Sequence, residues 1–191
     1  MVDAAHRRFT YEDVLAVGAP LVAEVVDGVL HTQPRPSLLH AQVTTELAAG
    51  LNPAFRHGRG GPGGWIFLVE PELHLGVEPD IVVPDIAGWR TTRMPRVPAQ
   101  PYHTLAPDWL AEVLSPSTAR FDRGAKLPVY AREGVAHVWL VDPSARTLEV
   151  LRLDGEGYRL VGTWGDDETA LLEPFTAVPF ELRVLWDRGH D

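Results

Sequence analysis

The amino-acid sequence predicts one α/β (α+β) domain, a central mixed β-sheet flanked by helices, with an N-terminal hairpin and C-terminal strands. Three observations predict it. Asp27-Gly28 stands between two apolar runs, the strongest short signal for a β-hairpin. Leu39, Val43, Leu47 and Leu51 recur at intervals of four, which stacks them on one face of a helix. A second helical segment is then followed by three strand-like runs, an order that suits a sheet covered by helices. With 191 residues, 45% of them hydrophobic, the chain supplies one core rather than two, and its ordered part should run from about residue 10 to residue 186.

Taken in order, Thr10 followed by Glu12 and Asp13 reads as the capped start of a short helix over residues 11–17. Strands over 21–26 and 29–32 flank the Asp27-Gly28 turn. Ser37 caps the periodic helix, and Asn52-Pro53 stops it. The glycine-rich run 58–64 lacks the Gly-Lys-Ser/Thr ending of a phosphate loop and reads as a flexible linker. Residues 65–75 look extended, and a strand begins at Ile81. A long Pro- and Arg-rich loop is expected over 85–107. Residues 109–114 form the next strand, and a helix over 122–132 ends at Gly134, with Pro128 marking either a kink or a late start. Strands over 137–142, 147–153 and 158–164 follow, and 181–186 reads as a last helical turn.

Composition narrows the chemistry. Without cysteine there is neither a disulfide framework nor a thiolate metal site, and the composition suits a reducing cytoplasm. No stretch approaches the roughly 18 apolar residues of a membrane span, so no membrane partner is expected. A net charge of −9 has the wrong sign for a general basic coat on nucleic acid, so DNA binding would need a local patch. The basic residues are sixteen arginines and one lysine, Lys126. Lysine is not replaceable by arginine where a compact charge is required, although chance retention also leaves one lysine.

Three acids interrupt segments that otherwise read as buried strands: Glu24 in LVAEVV, Asp80 before IVV and Glu112 in WLAEVL. Burying a lone carboxylate is very costly, so each is paired, ligated or turned to a cleft, unless it faces solvent from a one-sided strand. The two readings stand level for Glu24, and the apolar flanks of Asp80 and Glu112 tilt those toward a site. Oxygen ligands of this kind suit a hard cation such as Mg²⁺. The eight histidines show no His-x-x-x-His pair, and His40 alone is kept, as a phosphate contact or a support for a ligand. Asp122 reads as a helix N-cap. Arg90, Arg93 and Arg96, with Arg120, Arg123 and Arg132 around the second helix, form either a positive patch or scattered solvated charges.

The segments VEPDIVVPDIAGWR, WLAEVLSPSTARFDRGAKLPVYAREGV and HVWLVDP occur in that order, after EVVDGVL and PRPSLLH and before TLEVLRLDGEGYRL. Together they resemble the Uma-two family of restriction endonuclease-like proteins, a branch of the PD-(D/E)XK nuclease superfamily. The resemblance implies a restriction-endonuclease-like core and four catalytic residues: Glu24, Asp80, Glu112 and Lys126. It implies Asp80, Glu112 and the backbone carbonyl of Val113 as ligands of Mg²⁺ or Mn²⁺, with Glu24 completing the shell or serving a second ion. Pro79-Asp80 and Pro84-Asp85 both spell the motif. Asp80 is preferred because it directly precedes IVV, whereas Asp85 leads into the loop and caps a turn. The superfamily's acid-x-lysine motif here reads Glu112-Val113-Leu114, and Lys126 is the expected replacement for the missing lysine.

The implied activity is hydrolysis of DNA phosphodiesters by a metal-activated water. From their place around the second helix, Arg120 and Arg123 are candidates for a substrate contact or for support of the site, as is Asp85. The alternatives are an inactive nuclease-fold DNA-binding or scaffold protein and a phosphodiesterase acting on small nucleotides. A two-fold homodimer would suit duplex cutting.

Overall fold

The local signals of the first fifty residues translate directly into elements in the computed structural model, which describes residues 7–187. Helix α1 (Tyr11–Leu15) starts at Thr10, whose N–H donates to the Asp13 carboxylate at 2.9 Å. Strands β1 (Leu21–Val26) and β2 (Val29–Pro34) pair antiparallel around Asp27 and Gly28. Both turn residues have positive φ, 50° and 77°, the conformation that a two-residue hairpin turn requires. Helix α2 (Leu38–Leu51) is capped by the Ser37 hydroxyl, which accepts the His40 N–H at 3.2 Å, and buries Val43, Leu47 and Leu51. It does not stop at Asn52-Pro53 but continues into a π-helical turn, Asn52–Arg56. The glycine run is a packed turn rather than a flexible linker. Gly63 N–H donates to the Ala54 carbonyl at 2.9 Å, and a Cβ on Gly61 would lie 2.6 Å from that of Ala54.

The middle of the chain departs most from expectation. Residues 65–75 form two strands, β3 (Trp65–Val69) and β4 (Leu73–Leu75), broken where Glu70 takes a φ of 48°. After β5 (Asp80–Val82) comes β6 (Ile86–Arg90), a strand in the span expected to be loop. Its run Ile-Ala-Gly-Trp is fully buried, and Pro84 before it and the arginines after it masked the strand pattern. Strand β7 (Trp109–Val113) is buried along its whole length. Next come α3 (Ala119–Phe121), a π-helical turn (Asp122–Lys126) and α4 (Leu127–Arg132). Pro128 stands in the first turn of α4, where its missing N–H costs nothing, so it marks a late start.

Strand β8 (His137–Asp142) runs parallel to β7, and the helical segment between them is the crossover that a parallel pair requires. Strands β9 (Thr147–Asp154) and β10 (Gly157–Gly165) extend the sheet, and β11 (Thr169–Ala170), β12 (Phe180–Glu181) and α5 (Arg183–Trp186) end the described chain. The mixed six-stranded sheet has the order β10-β9-β8-β7-β6-β3, and a second sheet has the order β2-β1-β5-β4. This is the expected mixed sheet flanked by helices. No described helix is long and apolar enough to cross a membrane.

Alternation along β7 and β8 builds two cores. Trp109, Ala111, Val113, Trp139 and Val141 face α2, packing with Val43, Leu47 and Phe175. Leu110, Leu114, Val138 and Leu140 face the other way, packing with Val129 and Tyr130 of α4 and with Leu73 and Val82 of the smaller sheet. Leu47→Ala should therefore lower the unfolding free energy by about 2–5 kcal/mol in urea titrations. A loss below about 1 kcal/mol would mean that α2 does not carry the first core.

Candidate active site

Glu112 takes the place in β7 between Leu110 and Leu114, so the strand's alternation turns its carboxylate toward the crossover helix. The crossover brings Lys126 to meet it. The Lys126 ammonium, 1% exposed, lies 2.8 Å from Glu112 Oε1, 3.1 Å from Glu24 Oε1 and 3.7 Å from Asp122 Oδ1. It also donates to the Val83 carbonyl at 3.4 Å. Asp122, Lys126 and Tyr130 follow one another at intervals of four along the helical segment, and the Tyr130 hydroxyl donates to Glu112 Oε1 at 2.6 Å. Glu24 has both oxygens engaged: Oε1 also accepts the Val83 N–H at 2.7 Å, and Oε2 accepts Gln33 Nε2 at 3.2 Å.

Of the two Pro-Asp candidates, the structure brings Asp85 to this cluster and not Asp80. The antiparallel register of β6 on β7 pairs Ile86 with Ala111, so one residue further Asp85 stands across from Glu112. Asp85 Oδ2 accepts the Val113 N–H at 2.7 Å, and Oδ1 lies 2.7 Å from His40 Nε2. Asp80 starts β5 in the other sheet. It accepts the Asp27 N–H at 2.6 Å and pairs with Arg132, fastening the hairpin turn to the end of α4. The geometry thus favours Asp85 over Asp80, the residue preferred from the sequence: Asp80 begins β5, Asp85 precedes β6, and only β6 borders β7.

Glu112, Asp85, Asp122, Lys126, His40 and the backbone at Val113 open on one cleft of about 370 Å³, which Asp80 does not line. Of the six arginines read as either a positive patch or scattered charges, three are held in ion pairs. Arg123 makes a two-point contact with Glu149, Arg93 pairs with Asp108 and Arg132 with Asp80. Arg120 is exposed, without a partner among the described residues, and lies outside the cleft lining.

Residues 10–185 match the family Uma2, described as "putative restriction endonuclease". The chain belongs to this family. The fold of this Uma2 chain is also that of a crystal structure described as a "putative nuclease belonging to DUF820" from Anabaena variabilis. That protein is 21% identical, with a TM-score of 0.74 over 93% of this chain and 97% of the other. Among curated proteins nothing matches. The resemblance read from the sequence and the fold class it implied are both met.

The donor set suits one kind of ion. Asp85, Glu112 and the Val113 carbonyl offer only oxygen, and among the described residues no three carboxylates or imidazoles are gathered into a cage. Mg²⁺ uses such sparse sets, keeping waters and taking one or two carboxylates. The buried acids Glu24, Glu112 and Asp122, with half-buried Asp85, outnumber the single ammonium, an excess of negative charge that a divalent cation would offset.

Sequence reasoning did not single out Tyr130 or Gln33, and it read Asp122 only as a cap. The spacing of Asp122, Lys126 and Tyr130 was a signal for two of them. Burial pushes the Glu112 carboxyl upward against the pull of Lys126. Burial works against a charged Lys126, but Glu112 and Glu24 outweigh it and raise its pKa. Burial raises Asp122 to about 6 against the pull of Lys126. The folded state therefore holds the Asp122 proton more tightly than the unfolded chain, and this group's contribution to stability falls as pH rises from about 4 to about 6. In urea titrations the wild type should lose stability relative to Asp122→Asn across about pH 4 to 7, whereas a constant difference would contradict the shift.

Proposed function

We propose that this chain is an endonuclease that hydrolyses DNA phosphodiester bonds with Mg²⁺ or Mn²⁺. The observation that carries the reading is Asp85, just before β6, and Glu112, on the neighbouring β7, opening on the cleft where Lys126 is paired with Glu112. A divalent ion held by Asp85, Glu112 and the Val113 carbonyl would act as a Lewis acid and lower the pKa of a bound water.

The chain's own residues prepare the rest. Tyr130 donates to Glu112 Oε1 and the Lys126 ammonium pairs with the same oxygen, which fixes the carboxylate's rotation and leaves Oε2 for the ion. Glu24, engaged at both oxygens, holds Lys126 rather than an ion. The ammonium's hydrogen bond to the Val83 carbonyl is long, 3.4 Å, and is the contact Lys126 would give up to orient the attacking water and offset charge on the phosphate. His40 fixes the rotation of Asp85 from the other side.

Plasmid and single-stranded DNA, incubated with Mg²⁺ or Mn²⁺, test this. Asp85→Ala, Glu112→Ala and Lys126→Ala should each lose about a hundredfold or more of cleavage. Asp80→Asn should lower the melting temperature while cleavage stays within about threefold. Metal-independent cleavage, or activity untouched in Glu112→Ala and Lys126→Ala, would sink the reading. Cleavage of small phosphodiesters but not of polymers would favour a nucleotide phosphodiesterase.

A further inference from the structure

A nucleic-acid strand would bring phosphates into a cleft already lined by Glu70, Asp85, Glu112 and Asp122, on a chain of net charge −9. Something in the cleft must attract it. The lining holds two side chains of permanent positive charge, Lys126 and Arg35. Lys126 is buried, ion-paired with Glu112 and Glu24 and hydrogen-bonded to the Val83 carbonyl. His40 is tied to Asp85. Arg35 is exposed and makes no hydrogen bond or ion pair among the described residues. The other arginines without such partners among the described residues, Arg56, Arg59, Arg96, Arg120 and Arg183, do not line the cleft.

The backbone at Arg35 is held in place from both sides. Pro34 ends β2 and Pro36 follows, so the proline rings fix their own φ and keep Arg35 extended. Gln33 ties the end of the strand to Glu24 within the charged cluster, and Ser37 caps α2 immediately afterwards. An unpaired guanidinium on so constrained a segment loses little backbone freedom on binding, and its planar fork matches two phosphate oxygens.

We propose that Arg35 is a substrate anchor that binds a backbone phosphate of the strand in the cleft, contributing affinity and register but no base recognition. The inference rests on the nucleic-acid reading above and names the residue that grips the substrate.

The test is fluorescence anisotropy with a labelled single strand and a labelled duplex, titrated in NaCl without divalent ions. Arg35→Ala should weaken binding about tenfold at low salt and reduce the log–log salt slope by about 0.7 to 0.9, one phosphate contact. Arg35→Lys should restore the slope. Arg59→Ala should leave it unchanged, because Arg59 lies beyond the far end of α2, about 20 Å away. An unchanged slope in Arg35→Ala, or an equal drop in Arg59→Ala, overturns the assignment even if the wild type binds and cleaves. A labelled mononucleotide bound as tightly as the strand, and equally weakened in Arg35→Ala, overturns the strand contact in favour of small phosphates. Failure of the wild type to bind either DNA defeats the nucleic-acid reading and the anchor together.

Discussion

The Lys126 ammonium is buried, so it must be paired, and its partners come from three separate parts of the fold. Glu24 belongs to the hairpin sheet, Glu112 to the centre of the six-stranded sheet and Asp122 to the crossover helix. Removing one member of such a group leaves an uncompensated buried charge, a loss of about 3–5 kcal/mol in comparable pairs. The cluster thus links the two sheets as well as forming the floor of the cleft. The same geometry that makes it a structural joint keeps Glu112 in one rotation.

The position of the lysine follows from topology. A parallel β7–β8 pair demands a crossover, and this one lies over the face of β7 that carries Glu112. A cation on that helix reaches the carboxylate as directly as one on the strand itself. Leu114, two positions after Glu112, is buried among the apolar residues that α4 covers, so packing occupies that strand position. The cation that meets Glu112 therefore stands on the crossover helix.

Electrostatics elsewhere follow a different rule. Most arginines near the described acids are engaged in ion pairs, including Arg93, Arg123, Arg132 and Arg152. These pairs fasten loops and strands, and they remove the broad positive patch that a count of arginines suggests. What the acidic molecule can offer a phosphate is therefore local, at the mouth of the cleft.

By itself the sequence determined what depends on neighbours along the chain. The Asp27-Gly28 turn, the Ser37 cap, the four-residue period of α2 and the acids set in apolar strands were all legible, because turn geometry, capping and periodicity act within a few residues. The singular Lys126 was legible as well, through composition rather than position. Only the tertiary structure set Asp85, and not Asp80, beside Glu112. The two share a Pro-Asp motif and an apolar continuation, but one begins a strand of the small sheet and the other faces Glu112 across the register of β6 on β7. That register joins residues more than twenty positions apart, and β6 itself was hidden between a proline and a run of arginines. Likewise, the double engagement of Glu24, with Lys126 and Val83 on one oxygen and Gln33 on the other, exists only where two sheets meet.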